Sequence, residues 1–307
     1  MLIILLLDDM VLDYLQAVTL MDILFRSDPR RFCQFLFNQC KEHNVTVLNP
    51  VTATSVTTDV KTGLPVTLSY TTQEFSEHTI PCTSLLLAAG PWTGRVYKML
   101  FPKSEVELPI TNLAGWSVVF RDPTPVLAST SCHSAFTTSS GENFCPEVFS
   151  RIQPVTSEDC DSGREIYLAG LNSSEIPLPN LAAEVETPEL YDPHIESLLR
   201  AARRIFALSP VKSEENATNE NGSLEVLRTG LCHRPVTPNG LPLLMRLDPW
   251  HLLVGNASDA GMKDGGLYVC AGHGPGGIAL SLGSGKVCAD LIMGHTEAPI
   301  YSNPLGS

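Results

Sequence analysis

The sequence predicts an α/β fold with a second, strand-rich α+β part, and three observations predict it. Near the end of the chain a short β-type run, Leu267 to Cys270, leads into glycines 272, 274, 276 and 277, interrupted only by His273 and Pro275. An apolar, helix-like segment from Ile278 to Met293 follows. Leu85 to Ala89 is a continuous apolar run ending at Gly90, the pattern of a strand buried on both faces of a parallel sheet. Between these two segments, from Pro109 to about Gly170, the composition shifts to strands and long loops rich in Ser, Thr and Cys.

Taken in order, residues 1–27 contain no glycine and open with the apolar run Leu2 to Leu7, followed at once by Asp8 and Asp9. That run is shorter than the roughly 7 to 15 residues of a signal-peptide core and the roughly 20 of a membrane helix, so a buried strand is expected. Asp28 and Pro29 form a helix start, a capping side chain followed by proline at the first helical position. Phe32, Phe35, Leu36 and Cys40 then recur at helical spacing, with Lys41 and His43 near the end, where positive charge suits the helix dipole. Strand-like alternation follows at Val45 and Val47 and from Val51 to Val60, and Thr62-Gly63 is a plausible turn into Leu64 to Tyr70. Asp192 and Pro193 repeat the capping signature before an apolar stripe of Ile195, Leu198, Leu199, Ala202, Ile205 and Phe206. Arg200, Arg203 and Arg204 on this helix are expected to form a solvated face. Residues 211–223 are polar and acidic and are expected to be a mobile surface loop.

Bulk properties narrow the function classes. A chain of 307 residues, 43% of them hydrophobic, can bury a substantial core. Its net charge of −13 argues against nucleic acid and anionic membrane surfaces as partners, because both attract basic patches. Nine cysteines without a C-x-x-C pair favour reduced thiols in a cytoplasmic setting and offer no zinc-like spacing. The sequons at Asn44, Asn172, Asn216, Asn221 and Asn256 then read as coincidental. Lys286 follows Gly285, but Leu280 stands where a P-loop needs its first glycine.

The glycine turn is the strongest candidate site. A turn of this kind between strand and helix lets backbone approach a ligand closely, and the N–H groups opening the helix face partial negative charge. Gly272, Gly274 and Gly277 fit G-x-G-x-x-G mechanically. The dinucleotide fingerprint also needs a following strand and an acidic residue about 20 positions on, and neither is evident here. A structural turn without a ligand is the other reading that the residues leave open.

The segment LYVCAGHGPGGIALSLGSGKVCADLI resembles the C-terminal flavin-binding segment of the D-amino-acid-oxidase-like FAD-dependent oxidoreductases, the family of glycine oxidase and sarcosine oxidase. Four further stretches resemble family segments in the same order: DPRRFCQFLFNQCKEHNVTVL, LLLAAGPWTGRV, EIYLAG and GLCHRPVTPNGLPLL. Together they span residues 28–294. The resemblance implies a Rossmann-like FAD/NAD(P)-binding domain with a parallel sheet, at residues 1–110 and 225–307. A substrate domain built on an antiparallel sheet is implied at 111–224. In the family the chain opens with a strand and a glycine turn for the ADP half of FAD. The glycine-free first 27 residues therefore imply a member lacking that first βαβ unit, its FAD-binding domain truncated at the N-terminus.

The resemblance also implies roles. Ala89, Gly90, Gly272, His273, Gly274, Gly276, Gly277 and Ile278 would contact FAD, with His273 at least as well explained as a packed residue shaping the turn. Arg234 would hold a substrate carboxylate beside the flavin, with a structural salt bridge or a flavin contact as alternatives. Family members that carry a second arginine place it three positions on, where this chain has Thr237. Cys232 lies near the position at which sarcosine oxidases attach FAD covalently, though a free thiol is the commoner outcome. No catalytic protein base is expected. Two functions remain open: oxidation of a C–N bond in a small amine or amino acid by hydride transfer to flavin, or a catalytically silent paralogue acting through protein contacts.

Overall fold

The computed structural model describes residues 29–59, 63–123, 134–136, 144–151, 165–206, 224–247 and 265–295. The expected N-terminal strand, the Asp28 cap, Thr62 of the expected turn and the loop at 211–223 lie outside these residues. The chain divides into two compact units, Met1–Asn112 with Arg234–Ser307, and Leu113–His233.

The first unit begins with helix α1 (Pro29–Glu42). Its C-terminus is closed by Asn44 at φ +59°, while the Asn44 and Val45 N–H groups donate to the carbonyls of Lys41 and Cys40. This is a Schellman closure with asparagine in the left-handed position and buried Val45 just beyond it. The closure explains why Val45 and Val47 do not form the expected strand: the Val45 amide is already committed to the helix end. Strands β1 (Val51–Thr58), β2 (Pro65–Thr72) and β3 (Glu77–Pro81) then make an antiparallel sheet in the order β1-β2-β3. Gly63, at φ +69°, closes the β1–β2 connection by donating to Asp59.

Strand β4 (Ser84–Leu87) follows, with Leu85 and Leu87 buried, and leads through a 3-10 turn at Gly90–Trp92 into helix α2 (Thr93–Leu100). The chain returns to this unit after the second one. Strand β11 (Leu243–Leu247) runs antiparallel to β12 (Gly266–Ala271), and β12 runs parallel to β4, giving the order β11-β12-β4. A second 3-10 turn at Gly274–Gly276 opens helix α4 (Gly277–Met293). The core of the unit gathers Leu68, Leu85, Leu87, Tyr97, Leu267 and Val269. Helix α4 buries Ser284, Cys288 and Ala289 but exposes Ile278, Leu280 and Val287. Among the described residues, Gly274–Met293 is the one helical stretch long and apolar enough to cross a membrane by length and composition.

The second unit is built on a largely antiparallel sheet in the order β10-β5-β8-β7-β6. Its strands are β5 (Thr111–Arg121), β6 (Ser134–Phe136), β7 (Glu147–Arg151), β8 (Glu165–Ala169) and β10 (Val226–Val236), with β9 (Asn172–Ser173) paired to β5. Helix α3 (Pro193–Ile205) covers it through Ile195, Leu198, Leu199 and Ala202, which pack with Trp116, Val118, Phe120, Ile166 and Leu168. The Asp192 carboxylate accepts the His194 backbone N–H at 2.7 Å, and the His194 ring stacks on Trp116 with centroids 3.8 Å apart. Arg200 and Arg204 lie on the exposed face of α3 as the periodicity predicts. Arg203 departs from that expectation and is half-buried. Among the described residues the cysteines are free thiols, and no group of three or more His, Cys, Asp or Glu is placed to hold a metal ion.

Asn44→Ala is expected to destabilise the first unit by about 1–2 kcal/mol, the cost of a Cβ-bearing residue without a short polar side chain in the left-handed region. Asn44→Gly should retain or raise stability. Urea denaturation followed by circular dichroism reads both, and equal stability of the two variants would contradict the closure described.

Candidate active site: two glycine turns at one sheet edge

Strands β4 and β12 are parallel and in register, with Leu85 beside Leu267 and Leu87 beside Val269. Their carboxyl ends therefore share one edge of the sheet, the position at which open α/β sheets bind ligands. Each strand leaves that edge through the same local structure. After β4 come Ala88, Ala89 and Gly90, the last at φ +56°, which opens the 3-10 turn Gly90-Pro91-Trp92. After β12 come Gly272 at φ +85° and His273, and then the 3-10 turn Gly274-Pro275-Gly276, with Gly274 at φ +54°. A glycine in the left-handed region followed by proline thus starts both turns, and a helix follows each.

Neither helix receives a side-chain cap. The N-cap residues of α2 and α4, Trp92 and Gly276, make no capping hydrogen bond from a side chain, whereas Asp192 caps α3. The first N–H groups of an α-helix have no partner within it. At α4 these belong to Gly277, Ile278 and Ala279, on backbone with no bulky side chain at 276 or 277. A Cβ at Gly90 would meet nothing within 4 Å, so the space beside this turn is open. At Gly276 a Cβ would press on Leu280 Cδ1 at 3.2 Å. Open glycine backbone at Gly90, together with the uncapped start of α4, fits an anionic ligand that must approach main chain closely.

The turn after β12 is held from behind by residues 236–241. Val236 and His273 form an isolated antiparallel bridge, and Thr111 Oγ1 donates to the Val236 carbonyl at 3.3 Å. Thr237 is buried, and its hydroxyl donates to the Leu241 carbonyl at 2.6 Å. Its methyl Cγ2 stands 2.6 Å from where a Cβ of Gly272 would be, so this position excludes any larger residue. The His273 ring is tied to helix α4 through Nε2 and Ser284 Oγ, 2.8 Å apart. Arg234 lies on β10 two positions before Val236, on the same face of the strand, and is half-buried with an interaction of its own. Cys232 is exposed, and its thiol donates to the Gly115 carbonyl at 3.3 Å.

Two features of the turn region were not legible in the sequence. Thr237, singled out only as the place of an absent arginine, is the residue against which Gly272 packs. Cys270 of β12 and Cys288 of α4, eighteen positions apart in sequence, are brought into thiol–thiol contact. A hydrogen bond from Cys288 holds Cys270 down at about 5, with His273 adding to the effect against the upward push of burial. Cys288 is pushed far up by the same bond, by its own burial and by the neighbouring thiolate.

A family model described as FAD-dependent oxidoreductase (DAO) matches residues 12–291. The chain belongs to that family. FAD is therefore the cofactor that the family uses, and the site just described holds residues suited to it. A Schizosaccharomyces pombe protein described as an oxidoreductase is 25% identical over 217 residues, covering 70% of this chain and 43% of that one. Among solved structures, NikD, an unusual amino acid oxidase, superposes with a TM-score of 0.56 at 18% identity, over 88% of this chain and 58% of that one. L-proline dehydrogenase from P. horikoshii gives 0.55 at 14%, over 89% and 58%. Iminodiacetate oxidase from Chelativorans sp. BNC1 gives 0.55 at 13%, over 86% and 55%. These likenesses show the α/β FAD-binding fold. The chain spans about half the length of the relatives it matches.

Gly272→Ala is expected to lower stability by about 2 kcal/mol or more, because it adds a Cβ both at positive φ and against Thr237. Thr237→Ser removes the opposing methyl and keeps the hydroxyl, so it should recover part of that loss when combined with Gly272→Ala. A double-mutant cycle by denaturation should give a coupling of about 1 kcal/mol. Strict additivity would mean that the two side chains do not meet.

Proposed function

We propose that this chain is an FAD-dependent oxidoreductase that oxidises a C–N bond of a small amine or amino acid. The observation that carries the proposal is the pair of Gly-Pro turns at the carboxyl ends of β4 and β12, each opening an uncapped helix on one sheet edge. Family membership supports the cofactor, and the neighbours named as an amino acid oxidase, a proline dehydrogenase and an iminodiacetate oxidase support the substrate class.

In this proposal the chain positions both cofactor and substrate. Ala89 and Gly90 let main chain lie against the cofactor at one turn, and Gly272, His273, Gly274, Gly276, Gly277 and Ile278 do so at the other. FAD, when bound, supplies the acceptor for the hydride leaving the carbon that bears nitrogen. The N–H groups of Gly277 and Ile278 stabilise negative charge growing beside them, and comparable preorganised donors in other enzymes contribute about 3 kcal/mol each. Arg234 binds a substrate carboxylate through its planar, permanently charged fork, which favours an amino acid over a plain amine. The His273 imidazole, held by Ser284, keeps the turn in place rather than moving a proton. Cys232, donating to Gly115, leaves the cofactor non-covalently bound. In this reading the acidic chain works in the cytoplasm, without nucleic-acid partners.

Purified chain mixed with FAD and passed through gel filtration should carry flavin absorbance in the protein peak, released to the supernatant by acid precipitation. A colourless protein peak would sink the proposal for this chain. With an amino acid substrate in hand, Arg234→Leu should raise KM about 10- to 100-fold, the value of a lost charge-assisted contact of about 1.5–3 kcal/mol. Unchanged steady-state kinetics with a carboxylate-bearing substrate would remove Arg234 from the site.

A further inference from the structure

Two contacts tie strand β12 and its turn to helix α4, and they follow one register. His273 meets Ser284, and Cys270, three residues earlier, meets Cys288, four residues later. On a helix, residues four apart share a face, so Ser284 and Cys288 present adjacent groups to the turn and strand, and both are buried. Cys270 is half-buried and therefore reachable by a small molecule. Thiol, thiol, imidazole and hydroxyl thus converge behind the glycine turn, and the two thiols have no part in the proposed oxidation.

We propose that Cys270 and Cys288 are an oxidisable thiol pair, a modification site at which a hydroperoxide drives formation of a Cys270–Cys288 disulfide. Cys270 is the attacking sulfur because it is the more exposed of the two and carries the thiolate, stabilised by the Cys288 hydrogen bond and by His273. Its sulfur attacks one peroxide oxygen, the O–O bond breaks, and Cys270 becomes a sulfenic acid while hydroxide leaves and is protonated to water. The Cys288 sulfur then displaces the sulfenic hydroxyl. The S–S bond forms, and the Cys288 proton leaves with that hydroxyl as a second water. Sulfur is oxidised by two electrons overall, and hydrogen peroxide is reduced to two waters. The product links β12 to α4 and encloses the whole stretch from Gly272 to Ile278 in a covalent loop. It also removes the negative charge beside His273. The inference does not depend on flavin binding.

The test treats the full chain with hydrogen peroxide, blocks remaining thiols with iodoacetamide, digests without reductant and maps linked peptides by mass spectrometry. The expected result is a linked pair of peptides carrying Cys270 and Cys288, reversed by dithiothreitol, with a melting temperature a few degrees above that of the reduced chain. In Cys288→Ser the sulfenic acid should persist on Cys270 and be captured by dimedone. Should that variant fail to fold, the wild-type peptide map decides alone. Cys270 and Cys288 both still alkylated after peroxide in chain with an unchanged circular dichroism spectrum would overturn the proposal. So would linkage of either to another cysteine in preference to each other.

Discussion

The parallel pairing of β4 with β12 is the constraint on which the first unit depends. Its two strands are short, and the whole of the second unit lies between them in sequence. Loop closure grows only logarithmically with length, at about 0.6 kcal/mol per doubling, so the long excursion is cheap to close. The intervening residues also bury their own cluster around Trp116, Phe120, Ile195 and Leu198, so they do not rely on the pairing for a core. What fixes the register is burial. Leu85 and Leu87 on one strand, and Leu267 and Val269 on the other, are almost wholly removed from water, and a slip of either strand by one residue would move its pair off the shared core. Because the strands are parallel, the same register places both glycine turns at one edge.

Positive φ at Gly90, Gly272 and Gly274 lets the chain turn sharply enough for helices to start directly at that edge. The turn after β12 is then kept from relaxing by contacts on three sides: the bridge from Val236, the Thr237 methyl, and the His273–Ser284 hydrogen bond. A backbone held in this way needs no rearrangement to present its N–H groups, which is what makes such donors effective toward a developing charge. It also resolves an electrostatic difficulty. A chain with net charge −13 repels an anionic cofactor at long range. Local attraction must come from oriented backbone dipoles, whose effect falls off within the first helical turn.

Much of this was legible locally and little of it at long range. The Asp192-Pro193 cap, the apolar stripe of α3, the buried run at Leu85 and the strand–turn–helix at 267–293 follow from propensity, capping and periodicity, because those effects act within a few residues. Val45 and Val47 alternate like a strand, yet the Schellman closure takes the Val45 amide and the local pattern loses to a helix end. The parallel partner of β12 lies some 180 residues upstream and leaves no trace in spacing. Thr237 and Gly272 are likewise unlinked in sequence, so the packing that makes a Cβ at 272 intolerable becomes visible only in three dimensions. The nine scattered cysteines suggested unpaired thiols, and those among the described residues are free, but the proximity of Cys270 to Cys288 depends on how α4 folds back along β12.

The way the helices begin separates structural from functional design within one chain. Helix α3, whose task is to cover a sheet, spends Asp192 on its own N-terminus, and the His194 amide is satisfied internally. A capping side chain stabilises a helix by about 1 kcal/mol, so a start without one forgoes stability unless something else binds there. Helices α2 and α4 both forgo it, with Trp92 and Gly276 at their N-caps. The 3-10 turns before them supply backbone bonds instead, Trp92 to Ala89 and Thr93 to Gly90 before α2, and Gly276 to His273 before α4. If these were ordinary structural starts, one or other would be expected to carry Ser, Thr, Asp or Asn at the cap, and neither does. Among the α-helices whose N-caps are described, α2 and α4 are the uncapped ones, and both start at the shared edge of β4 and β12. That coincidence of position and missing cap, which stands on this chain's own residues, is what supports the proposal of a ligand at this edge.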